Sequence, residues 1–135
     1  MSNSSEERYK YPSNFQKHVG FEVVRNDSGI WIARLDVVTQ HLNRSSSAHG
    51  GVILTLLDVA GAAAVTDSVE NLNRMSTISL TANFLSPARP GIVTAVANVE
   101  RAGKVTASTS IKLYQGDETG DLVATGIATY RLFCD

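Results

Sequence analysis

Residues 51–67 read Gly51-Val52-Ile53-Leu54-Thr55-Leu56-Leu57-Asp58-Val59-Ala60-Gly61-Ala62-Ala63-Ala64-Val65-Thr66-Asp67. Apolar side chains fill nearly every position, interrupted by Thr55 and Asp58. From Val52 to Val65 the run is 14 residues; its length and its alanines favour helix over strand, and a helix apolar all round is a buried one. It is too short for a membrane span, which takes about 20 residues. Gly50 and Gly51 open the segment, and Asp67 to Arg74 forms a polar exit.

On both sides of this helix the pattern alternates with period two. Upstream, Phe21–Val24 and Ile30–Val38 flank Asn26-Asp27-Ser28-Gly29, a hairpin signal. Downstream, Ile78, Leu80, Ala82 and Phe84 are expected on one strand face, with Ser86-Pro87 and Pro90-Gly91 as the following turn. Ile92–Val99, the alternating Val105–Leu113 and Leu122–Phe133 complete the set, separated at Gly103 and at Gly116–Asp121. Tight turns favour antiparallel pairing. The expected fold is α+β: a curved antiparallel sheet wrapped around one long central helix.

The chain has 135 residues, 43% hydrophobic and 19% charged, which suits one globular domain. At this size folding buries roughly two-thirds of the surface, so no disulfide or structural metal is required. Twelve basic and 13 acidic residues give a formal net charge of -1, which argues against nucleic acid or an anionic membrane as partner. Cys134 stands alone, so a reducing cytoplasm is the expected location. Met1–Asn14 lacks the apolar stretch of a secretory signal and is expected to be a flexible tail, with a single domain over residues 15–135.

Chemistry concentrates around the helix. Asp58 sits between Leu57 and Val59, where a carboxylate is costly unless it is hydrogen-bonded, paired or facing a wet cleft. The helix is entered through Asn43-Arg44-Ser45-Ser46-Ser47-Ala48-His49-Gly50-Gly51. Glycines at a helix start leave its first N–H groups open, and the helix dipole adds partial positive charge, so an anion or a developing oxyanion can bind there. No serine or cysteine triad is evident. His18 lies near the tail, His41 has no evident partner and is expected to be structural, and no histidine pair has helical metal-ligand spacing, so no metal is expected.

Asn43-x-x-Ser46-x-x-His49-Gly50-Gly51, with Asp58 nine residues beyond the histidine, resembles the hotdog-fold acyl-CoA thioesterases, in particular the phenylacetate-pathway and hydroxybenzoyl-CoA type. Leu85-Ser86-Pro87-Ala88-Arg89 resembles the same family, and the likeness covers roughly residues 15–133. The resemblance implies that the Gly50 N–H polarises the thioester carbonyl with His49 assisting. It implies that Asp58 activates water or attacks directly, that Thr77 holds the water or the carboxylate, and that Asn43 lines the reacting centre. Ser46 stands where the family usually has glycine. No cofactor is implied, CoA being part of the substrate, and the family forms obligate dimers, often paired into tetramers. Gly51, Arg89, Arg101 and Lys104 are candidates for contacts to CoA.

Two other functions remain open on the same fold. An acyl-CoA hydratase or dehydratase usually rigidifies the active loop with prolines, and Pro12, Pro87 and Pro90 are all distant from His49 in sequence. An acyl-CoA-binding regulatory module would usually carry a DNA-binding domain ahead of the fold.

Overall fold

The computed structural model describes residues 4–135. In chain order the elements are α1 (Ser5–Tyr9), α2 (Asn14–Val19), β1 (Glu22–Arg25), β2 (Trp31–Val37), a 3-10 turn (Thr39–His41), α3 (Gly50–Thr66), β3 (Leu72–Phe84), β4 (Gly91–Ala102), β5 (Thr106–Gln115) and β6 (Leu122–Cys134). The strands form one antiparallel sheet in the order β1-β2-β4-β5-β6-β3. Helix α3 packs across it, and Leu56, Leu57, Ala60, Ala63 and Val65 join Val93, Ala95, Ile111, Leu113 and Ala128 in a single core. Burying a leucine such as Leu57 stabilises the fold by about 2 kcal/mol.

The α+β reading and the central helix hold. Two expectations about β3 and the connection that follows it do not. The segment Ser86–Gly91 is not a tight turn between neighbours, because β3 and β4 are separated in the sheet by β6 and β5. Three strand spacings make about 14 Å, and the proline-bearing segment covers that span along the end of the sheet. It is tied by Leu85 and Ser86 N–H groups to the Val123 carbonyl and by the Ala48 N–H to the Ala88 carbonyl.

The second correction concerns Ile78. Thr77 pairs with Tyr130, yet the next partners are Ser79 and Thr129, so Ile78 is the extra residue of a β-bulge and is 57% exposed. The bulge shifts the alternation. Thr77, Leu80, Ala82 and Phe84 pair with Tyr130, Ala128, Gly126 and Ala124, the helix-facing side of β6; Ile78 drops out of that face and Thr77 joins it.

Residues 4–9, within the segment whose composition suggests a flexible tail, make contacts to the domain, while residues 10–14 are exposed; Met1 to Asn3 lie outside the described residues. Ser4 caps α1 by accepting from the Glu7 N–H, and the Ser5 hydroxyl donates to Asp67 at 2.7 Å. Arg25 bridges Glu6 and Asp67 while its guanidinium lies 4.1 Å from the Trp31 ring centre. Tyr9 packs on Trp31 with ring centres 5.3 Å apart, and burial pushes its hydroxyl up to about 12. The polar sequence looks like a tail because its partners lie far along the chain.

Candidate active site

Helix α3 begins where the loop from β2 meets the β3–β4 connection. His49 is its N-cap, and the ring Nδ1 accepts the Gly51 N–H at 2.9 Å. That bond places the proton of the neutral imidazole on Nε2. Gly51 suits this cap: a Cβ there would lie only 3.2 Å from His49 Nδ1. The Gly50 N–H has no acceptor among the described residues. A Cβ at residue 50 would meet the Phe84 ring at 3.7 Å, an ordinary contact, so packing within the chain does not demand glycine there.

Gly50 opens onto a pocket of about 450 Å³ whose apolar wall includes Ile53, Phe84, Leu85, Pro87 and Val123. Pro87, distant from His49 in sequence, therefore stands on the wall of the same pocket as Gly50. Phe84 and Leu85 remain 54% and 56% exposed, leaving that wall open to solvent.

Asn43 has a different setting from its neighbours. Its Oδ1 accepts the Ser45 and Ser47 N–H groups at 2.8 and 3.2 Å, and its Nδ2 donates to Ser47 Oγ at 3.2 Å. The side chain thus shapes the loop while lining the pocket. Ser46 within that loop has φ of 62°, in the left-handed region that favours glycine. This is the position where the resembled family usually has glycine.

Asp58 lies two helical turns on, half-buried on the side of α3 nearest β3. Thr77 Oγ1 donates to its Oδ1 at 2.7 Å, a contact that the bulge at Ile78 makes available. The backbone carbonyl of Asp58 accepts the Tyr130 hydroxyl at 2.8 Å. Tyr130 is fully buried; burial first, and then the charge of Asp58, raise its ionisation well above the ordinary tyrosine range. Neither Tyr130 nor its glycine neighbour Gly61 stood out in the sequence, since the link joins residues 72 positions apart.

Of the candidate cations, Arg89 is near the pocket: it follows Ala88, and Gln115 brackets its backbone N–H and carbonyl. Arg101 and Lys104 lie at the β4–β5 turn, the opposite end of the sheet, roughly 30 Å along β4 from Gly91. They do not meet Gly50 of their own chain. His41 is buried, its Nδ1 accepting the Val38 N–H and its Nε2 bonded to the Val19 carbonyl, a structural role. No group of three or more metal-ligating side chains occurs among the described residues, and no helix among them is long and apolar enough to cross a membrane.

A long helix wrapped by one antiparallel sheet, with an open N–H at its start and a hydroxyl-bound carboxylate further along it, is the arrangement of the hotdog fold. Residues 46–121 match the thioesterase superfamily, and the chain belongs to that family. It is 29% identical over 143 residues to the medium/long-chain acyl-CoA thioesterase YigI of Salmonella typhimurium, covering 93% of this chain and 90% of the relative. It is 32% identical over 98 residues to the acyl-coenzyme A thioesterase PaaI of Escherichia coli, covering 72% and 68%. The solved structure of Escherichia coli PaaI superposes with a TM-score of 0.81 at 26% identity, covering 96% of this chain and 91% of that one.

Proposed function

We propose that the protein hydrolyses an acyl-CoA thioester to the free acid and CoA, at a site shared between two copies of the chain. The observation that carries this is the spacing on α3. The open Gly50 N–H and the Thr77-held Asp58 carboxylate are eight residues apart on one helix, about 12 Å of helical rise. A carbonyl polarised by one and attacked with the help of the other needs both within about 3 Å of the reacting atoms. One helix cannot supply that; two helices related by a two-fold axis can, Gly50 coming from one chain and Asp58 from the other.

The rim of the site supports such a partner. Strand β3 has β6 on one side and an open edge on the other, with Ile78, Phe84 and Leu85 exposed beside it and Leu54 exposed on α3. A long open strand edge with exposed apolar side chains beside it favours pairing with another chain. A dimer through this edge, pairing further into a dimer of dimers, is the assembly expected.

In the chemical step the Gly50 N–H and helix dipole take the charge developing on the thioester oxygen, and the His49 Nε2–H adds a second donor. Asp58 removes a proton from the attacking water, or attacks the carbonyl itself to form a mixed anhydride that water then hydrolyses, regenerating the carboxylate. The C–S bond breaks, the thiolate leaves as CoA and takes up a proton, and the acyl group departs as a carboxylic acid. Thr77 holds the carboxylate in place, the Phe84–Val123 pocket takes the acyl chain, and Arg89, next to Ala88 of the pocket wall, is the proposed contact for a CoA phosphate. The sum needs only substrate and water. The names of YigI and PaaI support acyl-CoA as the substrate class, and the lone Cys134 fits action in a reducing cytoplasm.

The test is free-thiol release by the purified protein across acyl-CoAs of increasing length and with aromatic acyl groups. Turnover on at least one is expected. Hydration of an enoyl-CoA without thiol release would establish a hydratase instead, and saturable binding without either reaction a binding module.

A further inference from the structure

Thr77 and Tyr130 are direct partners across the β3–β6 pair, and both reach the same residue of α3. Thr77 Oγ1 donates to the Asp58 carboxylate at 2.7 Å, and Tyr130 Oη donates to the Asp58 backbone carbonyl at 2.8 Å. We infer that Tyr130 is a positioning residue for Asp58, and that Gly61 is glycine so that the tyrosine hydroxyl can reach the helix. The inference rests on the proposal that Asp58 acts in thioester hydrolysis.

The geometry of Gly61 carries it. The helix reads Ala60-Gly61-Ala62-Ala63-Ala64, and glycine is the poorest helix former after proline. A Cβ at residue 61 would overlap the Tyr130 hydroxyl and lie 2.9 Å from Thr109 Oγ1. The glycine is a notch, and the hydroxyl sits in it.

Among the described residues, Tyr130 is the only sheet side chain that hydrogen-bonds to the backbone of α3. Apart from the Thr77 bond to the Asp58 side chain, the sheet otherwise meets the helix through apolar contact, which is not directional; a hydrogen bond to the backbone fixes position along and around the axis. The bond falls at Asp58, opposite the threonine that holds its carboxylate. The cross-strand pair therefore sets where the carboxylate stands relative to the partner's helix start, and misplacements on the order of 1 Å cost up to about a hundredfold in rate.

Four variants test this by kcat and KM for thiol release and by thermal melting: Tyr130→Phe, Gly61→Ala, the two combined, and Asp58→Asn. Tyr130→Phe should lower kcat about tenfold with KM within about twofold. Gly61→Ala should lower kcat similarly by pushing the hydroxyl out of its notch. In the double variant the added methyl occupies the vacated space, so it should melt above Gly61→Ala alone while kcat stays as low as in Tyr130→Phe. A Tyr130→Phe kcat within about twofold of wild type, or a double variant that regains kcat together with stability, would overturn the inference and leave packing as the whole role of Tyr130. Should Tyr130→Phe fail to fold, Gly61→Ala decides alone: reduced kcat at unchanged KM supports positioning, and wild-type kcat refutes it. Wild-type turnover in Asp58→Asn would instead refute the catalytic reading of Asp58, and positioning with it; an inactive Asp58→Asn beside a fully active Tyr130→Phe refutes positioning alone.

Discussion

Mixing two inactive variants measures whether the active site is composite. Asp58→Asn keeps shape but removes the base or nucleophile, whereas His49→Ala removes the acceptor of the Gly51 N–H and the ring beside Gly50. Gly50 and Asp58 are separated by about 12 Å of helical rise, and Asp58 is tied to β3 through Thr77, so the two ends cannot converge within one chain. In a mixed dimer, one site takes His49 and Gly50 from the Asp58→Asn chain and Asp58 from the His49→Ala chain; it is wild-type throughout. The other site carries both lesions. Random exchange makes about half of the dimers mixed, each with one intact site of two, so roughly a quarter of full activity should return. The assay is thiol release after mild unfolding and refolding together, with differently tagged chains to confirm exchange and each variant alone as baseline. Confirmed exchange with no recovery would refute the composite site and the helix-length reasoning behind it.

Asp58→Asn should fold and melt as wild type yet lose about a hundredfold or more in turnover, while Thr77→Ala should lose less; a larger loss at Thr77 would reverse their assigned roles. Arg25 holds the carboxyls of Glu6 and Asp67 below their ordinary values. A carboxyl with a lowered folded value adds stability above its unfolded value, and that stability is lost as pH falls through the folded one. The melting gap between wild type and Arg25→Met should therefore be widest near neutrality and narrow below about pH 4; equal gaps at neutral and acid pH would refute the linkage. Ser46→Gly should raise unfolding stability by about 0.5 kcal/mol, relief of the left-handed strain exceeding the entropy cost of glycine, as read by urea titration; a clear loss of stability would show that the Ser46 side chain supports the loop.

The central helix was legible because its signal is local: a long apolar run rich in alanine has few alternatives. His49, Gly50 and Asp58 could be singled out as candidates for the same reason, lying on or beside that helix. What escaped depends on distant partners. The start of β3, Leu72 to Arg74, reads as the end of a polar exit from the helix because an edge strand exposed along much of its length carries little alternation. The bulge at Ile78 carries no glycine or proline to mark it, so the face to which Thr77 belongs could not be read by counting in twos. The β3–β4 connection looked like a hairpin turn because Pro-Gly punctuation reports a change of direction, not the strand that comes next in the sheet. Docking of α1 depends on Asp67, 62 residues from Ser5, and the polar letters of residues 4–10 do not reveal that an arginine and a tryptophan await them.

The order of strands in the sheet differs from their order in the chain, and that difference sets a schedule for synthesis. Among the described residues, strand β3 has β6 as its one strand neighbour, from the Leu72–Cys134 pair to the Phe84–Ala124 pair. On the ribosome, β1 and β2 can pair as soon as they emerge, and β4 and β5 can follow. The thirteen residues of β3 must wait through all of β4 and β5 before residues 122–134 appear to receive them. Such late, long-range pairing is slow and leaves strand edges open to other chains. For a nascent copy among others on the same message, this open edge is the part of the sheet most exposed to premature partners.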